Sequence, residues 1–270
     1  MATAVCSTGA ISGGIAAAVN DSSEEDEVVD NIKYTVCGIL ASPLFDKKAI
    51  QQRSLKLSEA YCLLWQNSRT GDVDGRQGSK AKIGGAVCAV LLDLIAMGKI
   101  GIEFEKKKFL FVNYTDIWVQ VNDLSPTGTF LDKALFTKMA AERKKGYKQK
   151  LVAWIRDCIT AWDYENNVAS VCLDSLVKQG ILGKERKMAG LKTDYPTKNP
   201  EPKKTLSCEI RKIALEGAKP DSYMRTLLTI LRAVDNFYSF VDPFLERHFT
   251  SKEYKGAKVA IKKVVMYNNL

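Results

Sequence analysis

Apolar residues recur along this chain at two periods, and the switches between them mark out its elements. Leu57, Tyr61, Leu64 and Trp65 fall at i, i+4, i+7 and i+8, one face of a helix that begins near Leu55. The following stretch, NSRTGDVDGRQGSKAK (67–82), has Gly, Asp, Ser and Lys at turn-forming density and no apolar period, so a loop is expected. Val87, Val90, Leu91, Leu94 and Ile95 then repeat as a second helix, which Gly98 ends as a left-handed cap. Ile100, Ile102 and Phe104 alternate, Lys106, Lys107 and Lys108 are expected to turn the chain, and Phe109 and Phe111 resume the alternation as a β-hairpin. Pro126-Thr127-Gly128 then breaks the hairpin and opens a helix with Phe130, Leu131, Ala134 and Leu135 on its apolar face. Asp132 lies near that helix N-terminus, where negative charge is favourable.

Helices are also predicted over about 147–160, with Leu151, Trp154, Ile155 and Cys158 on one side, and about 166–179, with Val168, Val171, Cys172 and Leu176 before Gly180. A Lys-rich, Pro-punctuated insert (183–204) precedes a last group at about 206–216, 222–241 and 252–266. The segments LLDLIAMGKI (91–100) and LDSLVKQGIL (173–182) share a register of Leu, a hydrophobic pair and Gly. Such an ending suits two Gly-capped core helices, and it also suits the recognition helices of tandem winged helices, which would bind nucleic acid or bridge proteins. Against the second reading, AVCAVLLDLIAM (86–97) is too apolar to face a groove. The fold class is mainly α with one or two β-hairpins.

Charge adds an asymmetry that the apolar pattern does not carry. The 270 residues have a formal charge of +9, but residues 1–32 hold six acids and no Lys or Arg, so residues 33–270 carry six more, +15. Residues 1–32 therefore read as a disordered acidic arm, too small and polar to offset the entropy of ordering, ahead of a domain over 33–270. Within the arm, Ser22 and Ser23 each have an acid three places on (Glu25, Asp26), the spacing an acid-directed kinase prefers, so they are candidate phosphorylation sites on what is otherwise a solvated acidic linker. Seven scattered cysteines without a C-x-x-C pair argue against a disulfide framework or structural zinc and point to a reducing compartment. No run approaches the roughly 20 apolar residues of a membrane span, and the first twenty residues lack a basic n-region.

Catalytic chemistry has little to draw on. The chain holds one histidine, His248, in FLERHFT, and no phosphate-binding, dinucleotide, nucleophile-elbow or H-E-x-x-H motif, so no enzyme, cofactor or metal site is expected. The positive signal is basic. KMAAERKKGYKQKLVAWIRD (138–157) sets Lys138, Arg143, Lys144, Lys145, Lys148, Lys150 and Arg156 against two acids, beside Tyr147 and Trp154. Lys184, Arg186 and Lys187 form a second cluster and Lys106–Lys108 a third. Such groups suit anionic lipid at about 1 kcal/mol per charge and suit phosphate backbones equally.

Five blocks in order break that tie. LKLSEAYCLLW (55–65), AVLLDLIAMGKIGIE (89–103), LSPTGTFLDKAL (124–135), LVKQGIL (176–182) and SKEYKGAKVAIKKVV (251–265) resemble successive landmarks of the Golgi phosphoprotein 3 family, over about residues 55–265. The resemblance implies a central helix bundle surrounded by amphipathic helices, and a peripheral protein on the cytosolic face of the Golgi membrane with a cytoplasmic pool. It also implies binding of phosphatidylinositol 4-phosphate and retention of Golgi glycosyltransferases by their cytosolic tails for coat vesicles, with no nucleic acid partner. The family's headgroup pocket has a Trp and three Arg whose aligned places here are Gly78 or its neighbours, Val87, Asn166 and Ala169, so none of the four carries over. Arg76, Lys80 and Lys82 lie in the corresponding loop, and with Lys144, Lys145 and Lys148 they are the candidate headgroup ligands. The family's later hairpin has an apolar tip, for which this chain offers only Met188, Leu191 and Tyr195. Its N-terminal arm can carry an Arg cluster for the vesicle coat, whereas this arm is acidic.

Overall fold

The most apolar run of the chain becomes its axis: every residue from Ala81 to Ala96 is buried in one helix. The computed structural model describes residues 11–73, 80–109, 112–161, 167–187, 192–235 and 245–266, with the backbone alone for 11–24, 109 and 112–114. In chain order the elements are α1 (Ile11–Ala41), α2 (Lys47–Gln51), α3 (Leu57–Trp65), α4 (Lys80–Ala96), β1 (Ile100–Phe109) and β2 (Val112–Val121). A π-helical turn (Asp132–Phe136) then leads into α5 (Thr137–Lys144), β3 (Gln149–Lys150), α6 (Leu151–Ile159) and α7 (Val168–Lys178). The chain ends with β4 (Glu185–Lys187), β5 (Lys192–Asp194), α8 (Glu201–Leu215), α9 (Ser222–Asp235), a 3-10 turn (Glu246–His248) and α10 (Ser251–Val264). The protein is mainly α, with α1, α3, α6, α7 and α9 packed around α4 and two small antiparallel sheets, β1-β2-β3 and β4-β5. A helix buried on all sides cannot enter a nucleic-acid groove, which removes the tandem winged-helix reading.

Two features let α4 sit so deep. Gly85 brings the helix backbone against α3 and α9: a Cβ there would lie 2.3 Å from the Tyr61 hydroxyl oxygen and 2.8 Å from Val234 Cγ2. Tyr61 is wholly buried and donates its hydroxyl to the Lys82 carbonyl at 3.0 Å. Further along, Asp93 reaches from α4 to the start of α3, where it accepts from the backbone N–H of Leu57 (3.0 Å) and Ser58 (3.0 Å) and from the Ser58 hydroxyl (2.7 Å). These N–H groups have no partner within α3, so the carboxylate serves as an N-cap supplied by another helix. Glu59 completes the junction, accepting from Lys56 N–H (3.0 Å), the Ser175 hydroxyl (2.6 Å) and Gln179 Nε2 (2.5 Å).

The echoed glycines are true caps. Gly98 and Gly180 have φ of +74° and +73°, and in both the glycine N–H and the next one bond back in the pattern of a Schellman motif. The bonds run from Gly98 to Ile95 and Lys99 to Leu94, and from Gly180 to Val177 and Ile181 to Leu176. Each exit leads into a hairpin, β1–β2 or β4–β5. The SPTGT segment is held by the next helix: Asp132 accepts from Thr127 N–H (2.8 Å) and Gly128 N–H (3.0 Å).

Several expectations need correction. The arm read as disordered to residue 32 is helical from Ile11, and Val28, Val29, Ile32, Val36 and Ile39 enter the core on one face of α1. Their helical spacing is overshadowed by the acids that run up to and among them. Lys106–Lys108 do not turn the hairpin but lie in β1, paired with Thr115, Tyr114 and Asn113; residues 110–111 between the strands lie outside the described residues. The loop expected to 82 ends at Lys80, and α8 starts at Glu201 rather than 206. Tyr195 is buried, with its hydroxyl 3.3 Å from Asp174, and so offers nothing to a hairpin tip; Met188 and Leu191 lie outside the described residues.

Gly85→Ala is expected to lower stability by about 1–3 kcal/mol through overpacking against Tyr61. Gly256→Ala on α10, where nothing lies within 4 Å of the added Cβ, is expected to raise it by about 0.5–1 kcal/mol. Urea unfolding of the pair checks both signs. Burial pushes the Asp93 carboxyl up to about 6, against the opposing hydrogen bonds from Ser58 and Leu57. The folded state therefore keeps this proton to higher pH than the unfolded chain, and the stability that goes with it fades as pH rises from about 4 through 6. Relative to Asp93→Asn, the wild type is expected to lose about 2–3 kcal/mol between pH 4 and 7; a difference that stays flat or grows with pH would contradict the burial effect.

Candidate membrane-facing surface and a basic groove

The β1–β2 hairpin sorts its residues by strand alternation. On one face Ile100, Ile102, Val119 and Val121 pack on the core, and the same face continues outward with Phe104, Lys106 and Lys108. Phe104 is 53% exposed, and Lys106 and Lys108 are exposed and make no ion pair among the described residues. The opposite face is charge-balanced around Trp118, whose indole N–H donates to Glu105 at 2.8 Å. Lys107 bridges Glu105 (3.2 Å) and Asp116 (3.0 Å), Lys150 pairs with Asp116 (2.5 Å) and Lys148 with Glu103 (2.7 Å). All three ammonium groups lie 5.1–5.7 Å from the Trp118 ring centroid. Hydrogen bonds from Lys150 and Lys107 hold the Asp116 carboxyl below the usual carboxylate range. Lys106–Lys108, one cluster in the sequence, are thus divided by the pleat into two outward charges and one compensated one.

Beside this hairpin α5 ends in a backbone cap, Gly146 N–H to Arg143 and Tyr147 N–H to Glu142. The chain turns there into β3, which leaves Arg143, Lys144 and Tyr147 exposed next to β2. A cavity of about 190 Å³ separates the two, lined by Val119, Val121, Met139, Arg143, Tyr147 and Trp154. Of the candidate ligands, Lys144, Lys145 and Lys148 belong to this edge, although Lys145 is paired with Glu142 (3.1 Å) and Lys148 with Glu103.

The remaining candidates are elsewhere. Lys80 opens α4 and lies 3.4 Å from Glu25 of α1; Glu25 also reaches Arg156 of α6 (3.7 Å), and Asp26 pairs with Arg156 at 2.6 Å. Acids assigned to a free arm therefore cover basic residues of the body. Lys82 is buried, with its ammonium 5.9 Å from the Trp65 ring, because the first turn of α4 already faces the core. Arg76, like Gly78 and Asn166, lies outside the described residues. Val87 and Ala169, at the aligned places of two family arginines, are core residues. Ser22 and Ser23 fall on α1 about a turn before Glu25 and Asp26.

A second basic site has no counterpart among the sequence candidates. The chain after α3, one face of α8 and the 3-10 turn enclose a groove of about 760 Å³ lined by Gln66, Arg69, Lys203, Arg211, Arg247 and His248, among others. Gln66 is buried and donates to the Tyr195 carbonyl (2.7 Å) and to Thr197 (3.1 Å), while Lys203 donates to the backbone carbonyl of Gln66 and to its side-chain oxygen (3.1 Å). His248 Nδ1 meets the Ser207 hydroxyl at 3.2 Å, and its Nε2 is buried without a hydrogen-bond partner among the described residues. Arg211 grips Glu253 through both nitrogens (3.1 and 2.8 Å) and donates to the His248 carbonyl. Burial, with Arg247 nearby, brings Lys203 down to about 8; burial, with Lys203 and Arg247, brings His248 down to about 4. The sequence signal was the i, i+4, i+8 spacing of Lys203, Ser207 and Arg211 on one helix face.

No helix among the described residues is long and apolar enough to cross a membrane. Among curated proteins none matches the chain. The family model described as Golgi phosphoprotein 3 (GPP34) matches residues 57–256, from the first residue of α3 into α10, and so takes in the buried axis, both hairpins and the groove. The chain belongs to the Golgi phosphoprotein 3 family.

Proposed function

We propose that this protein is a peripheral adaptor on the cytosolic face of the Golgi membrane, held by anionic lipid including phosphatidylinositol 4-phosphate, which retains glycosyltransferases by their cytosolic tails for coat vesicles. Family membership supports the Golgi phosphoprotein 3-like role and the Golgi association. The observation that carries the lipid half is the outward hairpin face, where an exposed aromatic ring, Phe104, stands beside two lysines without ion-pair partners among the described residues. An aromatic ring suits the headgroup boundary, and each lysine near an anionic surface contributes about 1 kcal/mol. Arg143, Lys144 and Tyr147 on the neighbouring turn extend the same chemistry. With Val87 and Ala169 buried where the family has arginines, attraction to the membrane rests on this distributed charge, and selectivity for the 4-phosphate headgroup is correspondingly weak.

Sedimentation with vesicles, with and without phosphatidylinositol 4-phosphate over a salt series, tests the lipid half. Binding is expected to both anionic compositions at low salt and to fall steeply as salt rises. Lys106→Gln with Lys108→Gln is expected to weaken partitioning by about 10–30-fold. Absence of binding to any anionic vesicle at low salt would remove lipid attachment from the proposal.

A further inference from the structure

We propose that the groove between α8, the chain after α3 and the Glu246–His248 turn is an anion site for a phosphomonoester dianion. Its charges are the first reason. Of the basic residues on its walls, Arg211 is matched by Glu253 and Lys204 by Glu201 (2.8 Å). Lys203 is different: it is largely buried, and its bonds go to the oxygens of Gln66, not to a carboxylate. Arg69, Lys212 and Arg247 add positive charge to the same walls, where Glu216 is the one acid among the described residues. A cation held in a low-dielectric site without a counter-ion is destabilised, and an anion entering the groove relieves it.

The polar geometry is the second reason. His248 sits beside Lys203 and Arg247 with one ring nitrogen on Ser207 and the other buried and unmatched among the described residues. A buried polar atom without a partner costs free energy, and a ligand oxygen or the proton that accompanies an anion would remove that cost. Size and chemistry then narrow the class. About 760 Å³ is far more than one small anion fills and falls within the range of small-molecule sites. Lys203 without a carboxylate partner among the described residues, on walls that carry more bases than acids, favours a dianion, and a phosphomonoester is largely dianionic at neutral pH. Guanidinium forks and lysine point charges on the same walls suit phosphate oxygens. Free phosphate and a phosphorylated lipid headgroup share this chemistry. The site is distinct from the hairpin face and does not depend on it.

His248 is the only histidine of the chain, so its imidazole gives a single reporter resonance. In the full-length protein, inorganic phosphate at millimolar concentration is expected to shift that resonance saturably, with chloride of equal ionic strength as reference, and to raise the His248 midpoint by about one pH unit. Lys203→Met and, at an exposed loop position, Arg69→Ala are each expected to weaken the response about tenfold; Lys258→Met on the outer face of α10 is expected to leave it unchanged. Short-chain phosphatidylinositol 4-phosphate below its micellar concentration forms the second arm. Binding about tenfold tighter than inorganic phosphate identifies a lipid headgroup, and equal binding identifies a free anion. Silence of the resonance to both ligands overturns the proposal, as does a shift that survives intact in Lys203→Met and Arg69→Ala.

Discussion

The fold depends on a carboxylate placed where carboxylates rarely sit. Asp93 lies in the last turn of the most buried helix and caps the unsatisfied N-terminus of a neighbouring one. Apolar packing sets α3 beside α4, but it does not set how far one slides along the other. Three hydrogen bonds converging on one side chain do, since a shift of a single turn would leave both the carboxylate and the α3 N–H groups buried and unpaired. Glu59 then extends the same fixed point to α7. Polar groups in this core thus define registers, and apolar groups supply most of the binding between helices.

Outside the core the acids decide which basic residues are available. Trp118 stands among three lysines and three carboxylates that cancel locally, and Lys80 and Arg156 are met by Glu25 and Asp26. Two basic surfaces stand apart: the outer hairpin face, which projects from the body, and the α8 groove, whose walls bring cations together with few acids among the described residues. The two differ in kind. Exposed lysines keep their hydration and act by long-range attraction, whereas Lys203 and His248 have lost solvent and are poised for a specific contact.

Much of the architecture could be read from the chain alone, because apolar period and glycine caps are local. The Leu57–Trp65 helix, the buried helix ending at Gly98, the matching ending at Gly180 and the β1–β2 hairpin all follow from spacing within a few residues. Errors arose where local composition and tertiary burial disagree. Six acids made residues 1–32 look unable to fold, although Val28, Val29 and Ile32 needed only an apolar neighbour to become core. Three lysines in a row looked like a turn, although the cross-strand carboxylate of Asp116 meets Lys107 within the ladder. Of the candidate site, Lys144, Lys145 and Lys148 do share an edge, whereas Lys82 is inside the protein. The groove escaped notice because Gln66, Lys203 and His248 come from three distant segments, and only folding brings them together.

Helix α1 also separates two notions of a domain that usually coincide. The span that identifies the family begins at residue 57, yet the apolar stripe from Val28 to Ile39 lies against α4, α6 and α9, and Asn31 donates to the Ala233 carbonyl at 3.0 Å. The unit that can be recognised is therefore smaller than the unit that folds. A fragment trimmed to the recognisable span would present a sticky apolar trough along its central helix, together with the unmasked positive charges of Lys80 and Arg156. In such a fragment, self-association and indiscriminate adhesion to acidic surfaces would be products of the trimming, easily mistaken for the biology of the intact chain.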